Sequence, residues 1–284
     1  MYEYCKHPMY PQVQIVKIPF SSIEKIDFAL CNQPTETPDK FYARQTVKPD
    51  IITNGGFFNM SDGSTCFGYK DEGANIKPLL RSEGVGVIGN KELSFGYIQN
   101  SFRDYVEAYP TLIKDGKAIK IDYASEINTL TRRTCIGWND THYFVMTVDK
   151  PGLRFDTLQK LFLELGATYA INLDGGGSTR MLIEGKRMTS ETYARPVDNV
   201  MCVYLKKGVQ EKVLWRVQTG AFGKKENADR LAQELLKKGF EDIWVRKIGC
   251  YWKVQLGAFS VRLNAERLAD RLQDAGYKTY ITNK

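Results

Sequence analysis

Apolar and polar residues alternate along several short segments of the first two hundred residues, which is the pattern of strands with one buried face. Gln12–Ile18 and Lys25–Leu30 follow this pattern. Tyr143–Asp149 is a nearly continuous apolar run, as expected of a strand buried on both faces. Thr111–Ile119 contains an Asp-Gly pair, which predicts a tight hairpin turn. This part of the chain is therefore predicted to be rich in strands.

One segment of the same region has the spacing of a helix. In Phe155–Gly166 the apolar residues fall three and four positions apart, Asp156 lies in the first turn, and Gly166 ends the segment. Val200–Leu205 then reads as a closing strand. Strands with few helices indicate an α+β fold for this first domain.

The last seventy residues contain an internal repeat. Trp215–Phe222 (WRVQTGAF) returns as Trp252–Phe259 (WKVQLGAF) 37 residues later. Each copy leads into a helical pattern closed by glycine, and each helix is followed by a short strand. The apolar stripe of the first helix comprises Leu231, Leu235 and Leu236. Two β-α-β units of this size predict a small βαββαβ, ferredoxin-like domain.

We divide the chain accordingly into a strand-rich domain at 1–205, a polar linker at 206–212 and a βαββαβ domain at 213–284. The net charge of +7 is unevenly distributed between them. Residues 213–284 carry 14 Lys and Arg against 8 Asp and Glu, whereas the remainder carries 26 against 25. An excess of positive charge in one small domain indicates an anionic partner.

RNA is one anionic partner of this kind, because a four-stranded sheet with surface aromatics is the layout of the RNA-recognition motif. The aromatic signature string of that motif is absent from both repeats. Nucleic acid is therefore not favoured as the partner.

The segment Tyr169–Arg180 (YAINLDGGGSTR) has the strongest chemical pattern. Side chains alternate along a strand, so Asn172 and Asp174 point to one face and Leu173 to the other. Three glycines then expose the backbone to close approach of a ligand. A tight turn with a locally bonded Asp is the simpler alternative. The crowding of polar groups at one strand end favours a site.

The cysteine and histidine content limits the kinds of disulfide and metal sites that the chain can form. The six cysteines form no C-x-x-C pair, which favours reduced thiols over a disulfide framework or a zinc site. With only His7 and His142 in the chain, histidine-based metal sites are nearly excluded. No cofactor is certain, but a carboxylate and carbonyl site for calcium or magnesium remains open.

The sequence contains no apolar run of the length that spans a bilayer, so no membrane insertion is expected. The N-terminal residues lack the pattern of a secretory signal. We therefore expect cytoplasmic synthesis, with a separate route to any site of action outside the cell.

The repeat resembles the SPOR domain, a module that binds peptidoglycan glycan strands stripped of their stem peptides. The resemblance covers the segment from Val213 to Lys284 and rests on the doubled W-[RK]-V-Q-x-G-A-F signature. Alternation places Val217 and Val254 in the core and turns Gln218 and Gln255 outward, toward sugar hydroxyls. Phe222 and Phe259 are either core residues or a platform for the glycan. The resemblance thus implies a glycan-binding set of Gln218, Phe222, Gln255 and Phe259.

The first domain resembles the phosphodiester glycosidase family, whose animal member removes N-acetylglucosamine from a phosphodiester. Four motifs match in the family's order: Asn54–Phe58 (NGGFF), Arg133–Gly137 (RTCIG), Asn172–Thr179 (NLDGGGST) and Arg195–Asn199 (RPVDN). The resemblance implies that these four segments line an active site.

Roles within that site follow from the needs of bond cleavage. Asp174 is the predicted catalytic carboxylate, and Arg133 and Arg195 are candidates for a cationic clamp. A surface position on a strand is the simpler alternative for Arg133, which follows Arg132. The predicted substrate-binding residues are Asn54, Gly55, Gly56, Asn172, Gly175, Gly176, Ser178, Thr179 and Asn199. The three asparagines are alternatively ion ligands or turn residues. Candidates for a second carboxylate are Glu83, Asp149, Glu184, Glu191 and Asp198.

Together the two domains predict a bacterial cell-wall hydrolase, such as a phage endolysin, that cleaves a glycosidic bond in peptidoglycan or a related glycan. One alternative is a hydrolase of sugar phosphodiesters in teichoic-type polymers. Others are a non-catalytic peptidoglycan-binding protein and an intracellular hydrolase whose small domain binds RNA or another partner.

Overall fold

The structure is a computed structural model, which describes residues 2–78, 83–97, 99–121, 128–190, 193, 195–207, 214–259 and 261–283. The chain divides into two compact units, Met1–Lys206 and Lys207–Lys284. Strands predominate, and the described residues include four α-helices. The α+β class predicted from the sequence is confirmed at this level.

The larger unit is built almost entirely from strands. They are β1 (Glu3–Lys6), β2 (Val13–Pro19), β3 (Ile23–Leu30), β4 (Ile51–Asn54), β5 (Tyr69–Asp71), β6 (Ala74–Lys77), β7 (Gly84–Ile88), β8 (Glu92–Gly96), β9 (Phe102–Glu107), β10 (Thr111–Lys114), β11 (Lys117–Ala118), β12 (Thr131–Trp138), β13 (His142–Leu153), β14 (Tyr169–Asn172), β15 (Met181–Ile183), β16 (Lys186–Arg187) and β17 (Asn199–Leu205). The helices of this unit are α1 (Pro38–Arg44) and α2 (Phe155–Glu164).

These strands form three antiparallel sheets. A seven-stranded sheet has the order β1-β2-β13-β12-β14-β10-β11, and a five-stranded sheet has the order β16-β15-β4-β17-β3. A second five-stranded sheet has the order β6-β5-β9-β7-β8. The alternating apolar residues of the three sheets meet in one buried cluster, to which Val145, Ile51 and Val85 each contribute from a different sheet. Burial of this shared face is the main force that holds the sheets together.

Helix α2 covers part of the seven-stranded sheet. Its apolar residues Phe155, Leu158, Leu161 and Phe162 are buried. A Cβ atom at Gly137 would lie 2.8 Å from the ring of Phe162, so glycine on β12 is what lets this ring reach the sheet.

The smaller unit comprises β18 (Trp215–Phe222), α3 (Lys225–Lys237), β19 (Ile243–Ile248), β20 (Tyr251–Phe259), α4 (Arg262–Asp274) and β21 (Tyr280–Thr282). Its antiparallel sheet has the order β19-β20-β18-β21. Both helices pack on one face of the sheet over a separate core, which includes Val217, Val254, Leu256 and Leu272. Each repeat of the sequence therefore contributes one strand, one helix and one further strand.

Two expectations from the sequence need correction. Leu236 belongs to the predicted apolar stripe but is 58% exposed, because α3 turns it away from the sheet, while Leu235 is fully buried. The thiols of Cys31, Cys66, Cys135 and Cys202 are free, as expected. Cys5 and Cys250 are disulfide-bonded, so the expectation of reduced thiols is wrong for these two.

Among the residues that the structure describes, none of the helices has both the length and the apolar character that crossing a bilayer requires.

The adjacent leucines of α3 give a matched test of the small core. We expect Leu235→Ala to lower the free energy of unfolding by about 2–4 kcal/mol, because it leaves a cavity beneath the helix. Leu236→Ala should change it by less than about 0.5 kcal/mol. Urea unfolding followed by tryptophan fluorescence reports mainly on this unit, which contains three of the four tryptophans. Equal effects of the two substitutions would contradict the packing described.

Candidate active site

Strand β14 ends at Asn172, and Asp174 follows two residues later at the edge of a cavity of about 180 Å³. Leu173 is fully buried in the core of the larger unit, whereas Asn172 and Asp174 both line the cavity. The alternation predicted from the sequence is therefore observed. The described lining of the cavity consists of Phe57, Thr129, Thr131, Arg133, Asn172, Asp174, Gly175 and Gly176.

The three glycines after Asp174 each meet a different constraint. A Cβ at Gly175 would lie 2.6 Å from the backbone oxygen of Arg132, and Gly176 has a φ of +58°, a conformation that favours glycine. A Cβ at Gly177 would lie 2.4 Å from Nη2 of Arg195. The glycine run therefore lets the loop pass close to β12 and brings the Arg195 guanidinium against its backbone.

The backbone of Asp174 is fixed by the motif that contains Asn54. Its N–H donates to the oxygen of Gly55 (3.1 Å), and its carbonyl accepts from Nδ2 of Asn54 (2.7 Å). Its Oδ1 accepts from the N–H of Gly175 (2.8 Å). These bonds fix the carboxylate at the edge of the cavity.

Burial raises the pKa of the Asp174 carboxyl above its ordinary value. The nearby Ser178 hydroxyl, the Gly175 N–H and the positive charge of Arg195 all oppose this shift of the pKa. Asp174 is thus a half-buried carboxyl whose protonation is sensitive to Arg195, as expected of a group in a reactive site.

Arg133 lines the same cavity and is 5% exposed. Its guanidinium lies 4.1 Å from the centre of the Phe155 ring and donates through Nη2 to the oxygen of Thr129 (2.9 Å). Burial lowers the pKa of this arginine. The structure therefore places Arg133 in the cavity wall rather than on an exposed surface.

Arg132 has a role that the sequence did not indicate. Its Nη2 donates to the oxygen of Thr179 (2.8 Å) and lies 3.3 Å from Oδ1 of Asp149, and its Nη1 donates to the oxygen of Gly176 (3.3 Å). It therefore supports the glycine loop from behind. No sequence signal separates it from Arg133, because the two are adjacent basic residues of one strand.

The predicted asparagines connect the motifs to one another. Oδ1 of Asn54 accepts from the Thr134 hydroxyl (2.7 Å) and from the N–H of Arg180 (3.1 Å). Nδ2 of Asn172 donates to the oxygen of Tyr109 (2.8 Å). Asn54 is fully buried, so its contacts position the loop, and a direct contact with a substrate is not supported.

Asn199 makes the corresponding connection to the NGGFF motif. Its Oδ1 accepts from the N–H of Gly56 (2.7 Å), and its backbone oxygen accepts from the N–H of Gly55 (3.0 Å). A Cβ at Gly55 would lie 1.9 Å from Asn199 Oδ1, so this approach requires glycine. Asn199 is fully buried and also positions backbone.

Ser178 and Thr179 are nearly fully buried. The Ser178 hydroxyl lies beside the Asp174 carboxyl, where it favours the ionised form. Among the described residues, Thr179 Oγ1 has no hydrogen-bond partner, which is uncommon for a buried hydroxyl. Both hydroxyls remain candidates for contact with a ligand.

The candidate second carboxylates have distinct environments. Asp149 is bonded to Arg132, to Gln14 Nε2 (2.8 Å) and to the N–H of Ser190 (2.8 Å), so it is part of the support of the loop. Glu184 lies in a surface turn and accepts from the Tyr2 hydroxyl, and Glu83 accepts from the Thr111 hydroxyl. Glu191 lies outside the described residues.

Asp198 is the remaining candidate, and it is fully buried. Burial raises its pKa to about 7, the bonds from Thr65 and Asn199 oppose this shift, and the charge of Asp174 adds to it. Asp198 therefore lies within electrostatic range of Asp174 but does not belong to the cavity surface.

Metal ligation was a further possibility. Among the described residues, the one group of acidic side chains with metal-like spacing comprises Asp27, Glu72 and Asp104. Lys25 and Arg103 make salt bridges to these carboxylates. The cluster is therefore an ion-pair network, and none of its residues belongs to the described lining of the Asp174 cavity.

The smaller unit presents a row of polar and aromatic side chains across the sheet face opposite the helices. Cross-strand pairing aligns Trp244, Gln255, Gln218 and Tyr280 on β19, β20, β18 and β21 respectively. Trp244 is 36% exposed and Tyr280 is 67% exposed. Sequence reasoning missed both aromatics, although their alternation with Ile243, Val245 and Ile281 could have indicated them.

The predicted glycan-binding residues of this unit need partial correction. Phe222 and Phe259 pack against the core on the helix side, so they are not a platform on the sheet face. Gln218 is half-buried, but Gln255 is only 1% exposed. The prediction that Gln255 faces solvent is therefore wrong.

Substitutions in the glycine loop should separate backbone support from the position of Arg195. We expect Gly175→Ala to lower the unfolding free energy by about 2 kcal/mol or more, since its Cβ would meet immovable backbone. Gly177→Ala should cost less than about 1 kcal/mol, because the flexible Arg195 side chain can move away.

The displacement of the Arg195 guanidinium in Gly177→Ala should raise the pKa of Asp174 further, because a nearby positive charge is lost. Carbon-13 NMR of the Asp174 carboxyl measures this pKa. An unchanged pKa in Gly177→Ala would contradict the coupling.

Comparisons with known proteins agree with these two units. Residues 39–204 match the phosphodiester glycosidase family, and residues 211–283 match the SPOR domain. Mouse N-acetylglucosamine-1-phosphodiester alpha-N-acetylglucosaminidase is 24% identical over 164 residues, which cover 48% of this chain and 32% of the mouse protein. The match thus spans about a third of the length of that relative.

Solved structures share the fold of the larger unit. The catalytic domain of the zebrafish enzyme of the same name, auto-inhibited by its pro-peptide, superposes with a TM-score of 0.58 at 16% identity, covering 72% of this chain and 82% of that chain. A hypothetical protein from Synechocystis superposes with a TM-score of 0.61 at 13% identity, covering 72% and 61%. A putative exported protein from Burkholderia pseudomallei gives 0.52 at 14% identity, covering 68% and 73%.

At these identities the solved structures establish the fold alone. The family match is independent of them, covers more than half of the chain and includes the four motifs that meet around Asp174. This chain belongs to the phosphodiester glycosidase family and carries a C-terminal SPOR domain.

Proposed function

We propose that the protein is a hydrolase of the bacterial cell wall that cleaves a glycosidic bond at a sugar phosphodiester. The observation that carries this proposal is the placement of a carboxylate among cationic groups. Asp174 and Arg133 line one cavity, and the positive charge of Arg195 acts on Asp174. A cavity with an adjacent cationic group suits an anionic substrate.

The number of carboxylates favours the phosphodiester over a neutral glycoside. Glycosidases that act on neutral sugars generally use two carboxyl groups across the scissile bond, one of which protonates the leaving oxygen. The described lining of this cavity contains one carboxylate, Asp174, and Asp198 is fully buried. When the glycosidic bond of a sugar phosphodiester breaks, the group that leaves is a phosphate monoester. This stable anion needs little protonation, so charge stabilisation by arginine can replace a general acid.

In this mechanism ionised Asp174 has one of two roles. As the nucleophile it attacks the sugar carbon while the bond to the phosphate oxygen breaks, and water then hydrolyses the glycosyl-enzyme. As the base it takes a proton from the water that attacks this carbon and displaces the phosphate. Arg195 and Arg133 stabilise the charge that develops on the departing phosphate. The Ser178 and Thr179 hydroxyls would bind oxygens of the substrate. This mechanism needs the ionised carboxylate, and burial raises the pKa of Asp174. Activity should therefore increase as the pH rises through the pKa of Asp174.

Peptidoglycan itself is the second candidate substrate, and the SPOR domain supports it. The strand order β19-β20-β18-β21 with helices on one face supports a ferredoxin-like description of that unit. We place glycan binding on the Trp244 and Tyr280 rings together with the half-buried Gln218, because exposed aromatic rings near an amide suit stacking on sugars. Action at the wall, as in an endolysin, is part of this proposal.

The catalytic prediction is tested on purified sacculi with and without their phosphate-containing polymers. We expect soluble sugar products, identified by mass spectrometry, when the phosphate polymer is present. Asp174→Asn should reduce their release at least about a hundredfold, because it removes the reactive carboxylate. Glu184→Gln, which changes a surface carboxylate, should leave it unchanged.

Each other result of this digestion has a distinct meaning. New sugar ends from polymer-free sacculi would identify a peptidoglycan glycosidase instead. If a folded Asp174→Asn protein retained full activity, the assignment of Asp174 would be wrong. Binding without release from either substrate would identify a non-catalytic wall-binding protein.

The binding prediction concerns the sheet face of the smaller unit. We expect Trp244→Ala combined with Tyr280→Ala to weaken sedimentation with glycan strands at least about tenfold, since each lost stacking contact costs affinity. Leu263→Ala removes a residue of α4 that is 52% exposed on the helix side and serves as the matched control. Equal binding by both variants would exclude this face.

A further inference from the structure

The loop of residues 55–66, which follows β4, is fastened at both ends to Asp198 and Asn199. At its start, the Gly55 and Gly56 N–H groups donate to the backbone oxygen and Oδ1 of Asn199 (3.0 and 2.7 Å). At its end, the Thr65 hydroxyl donates to Oδ2 of Asp198 (2.7 Å). We call this segment the 55–66 loop.

The 55–66 loop contributes to the Asp174 cavity in two ways. Phe57 is part of the cavity wall. Sδ of Met60 accepts from Nη1 of Arg195 (3.3 Å), and the charge of Arg195 acts on Asp174. The position of the loop therefore affects both the shape of the cavity and the placement of its cation.

Asp198 is not used by the proposed chemistry, yet its environment is unusual. It is fully buried, and its two carboxylate oxygens accept from Thr65 and from Asn199 Nδ2 (2.6 Å). A buried carboxylate is costly unless its surroundings compensate for the lost hydration. Opening the 55–66 loop would remove Thr65 and let water reach the group.

We propose that Asp198 is a positioning residue, a latch whose hydrogen bonds with Thr65 and Asn199 hold the 55–66 loop closed over the Asp174 cavity. This inference rests on the proposed function in that it takes the Asp174 cavity as the active site. The latch itself is a property of the loop, and it can be measured without a substrate.

The latch depends on pH with a defined sign. In the closed form burial raises the pKa of Asp198 from 3.8 to about 7, whereas a hydrated carboxyl in the open form returns toward the ordinary value. Protonation therefore favours the closed form. Between about pH 4 and pH 7 the open population should increase about tenfold per pH unit, and above pH 7 it should level off.

Other ionisable groups sense the same carboxylate. Asp174 raises the pKa of Asp198, and the charge of Asp198 in turn raises the pKa of nearby groups. The groups that respond to Asp198 in this way are Cys31, Cys66 and Tyr69. Burial keeps the pKa of each of these three above its ordinary value, so they stay protonated where Asp198 titrates.

Hydrogen–deuterium exchange of the full chain between pH 5 and pH 8 tests the latch. The reporters are loop amides bonded within the loop, such as the N–H of Cys66, which donates to the oxygen of Phe57 (3.0 Å). After correction for intrinsic rates, we expect their protection to fall about tenfold per pH unit up to about pH 7. Asp198→Asn, a neutral isostere, should remove this slope and keep the loop protected throughout.

A second pair of variants and a matched control separate the latch from general destabilisation. Thr65→Val removes the hydroxyl and should reduce loop protection about tenfold even at pH 5, whereas Thr65→Ser should restore it. Asp62→Asn removes an exposed carboxylate of the same loop, which accepts from the N–H of Ser64, and should leave the pH slope intact. An Asp198→Asn protein with the wild-type slope, or equal protection in Thr65→Val and Thr65→Ser, would overturn the proposal.

Activity gives the second readout. The substrate is a synthetic methyl phosphodiester of N-acetylglucosamine 1-phosphate. As the pH increases from 5 to 7, loop opening should raise KM more than it lowers kcat. Asp198→Asn should abolish this trend in KM. If the loop amides respond as described while neither the diester nor sacculi are cleaved, the proposed function fails and the latch stands. If cleavage occurs but the loop amides show no pH dependence, the latch fails and the function stands.

Discussion

The hydrogen bonds of the buried Asn54 side chain are the interaction on which the rest of the site depends. This amide lies at the end of β4 in one sheet and accepts from Thr134 on β12 of another. It also donates to the Asp174 carbonyl and accepts from the Arg180 N–H, at either end of the glycine loop. A buried amide must satisfy its hydrogen-bonding groups, so the register between two sheets and the path of the glycine loop are fixed together.

Three aspartate carboxyl groups of this region differ in their surroundings. Asp149 is held by Arg132, Gln14 and a backbone N–H, and it supports the loop. Asp174 borders a cavity near Arg195, where its protonation can change during a reaction. Asp198 is sealed beneath the 55–66 loop, where burial raises its pKa to about 7. Burial and partners, rather than residue type, separate the supporting role of Asp149 from the roles proposed for Asp174 and Asp198.

The two units divide the proposed work. The larger unit holds the Asp174 cavity, and the smaller unit has its own core and a sheet face edged by Trp244 and Tyr280. Most of the excess positive charge lies in the smaller unit. A tethered module that binds a wall polymer raises the local concentration of cleavable bonds without adding contacts in the active site.

Local sequence patterns were enough to predict the strands, the repeat and the facing of Asn172, Leu173 and Asp174, because each depends on side-chain periodicity along one segment. The tertiary structure decided which partners those segments meet. It turned Phe222 and Phe259 toward the helices, covered Gln255, set Arg132 behind the glycine loop and buried Asp198 under Thr65. These outcomes depend on contacts between residues far apart in the chain, and long-range packing has no signature in the spacing of a single segment.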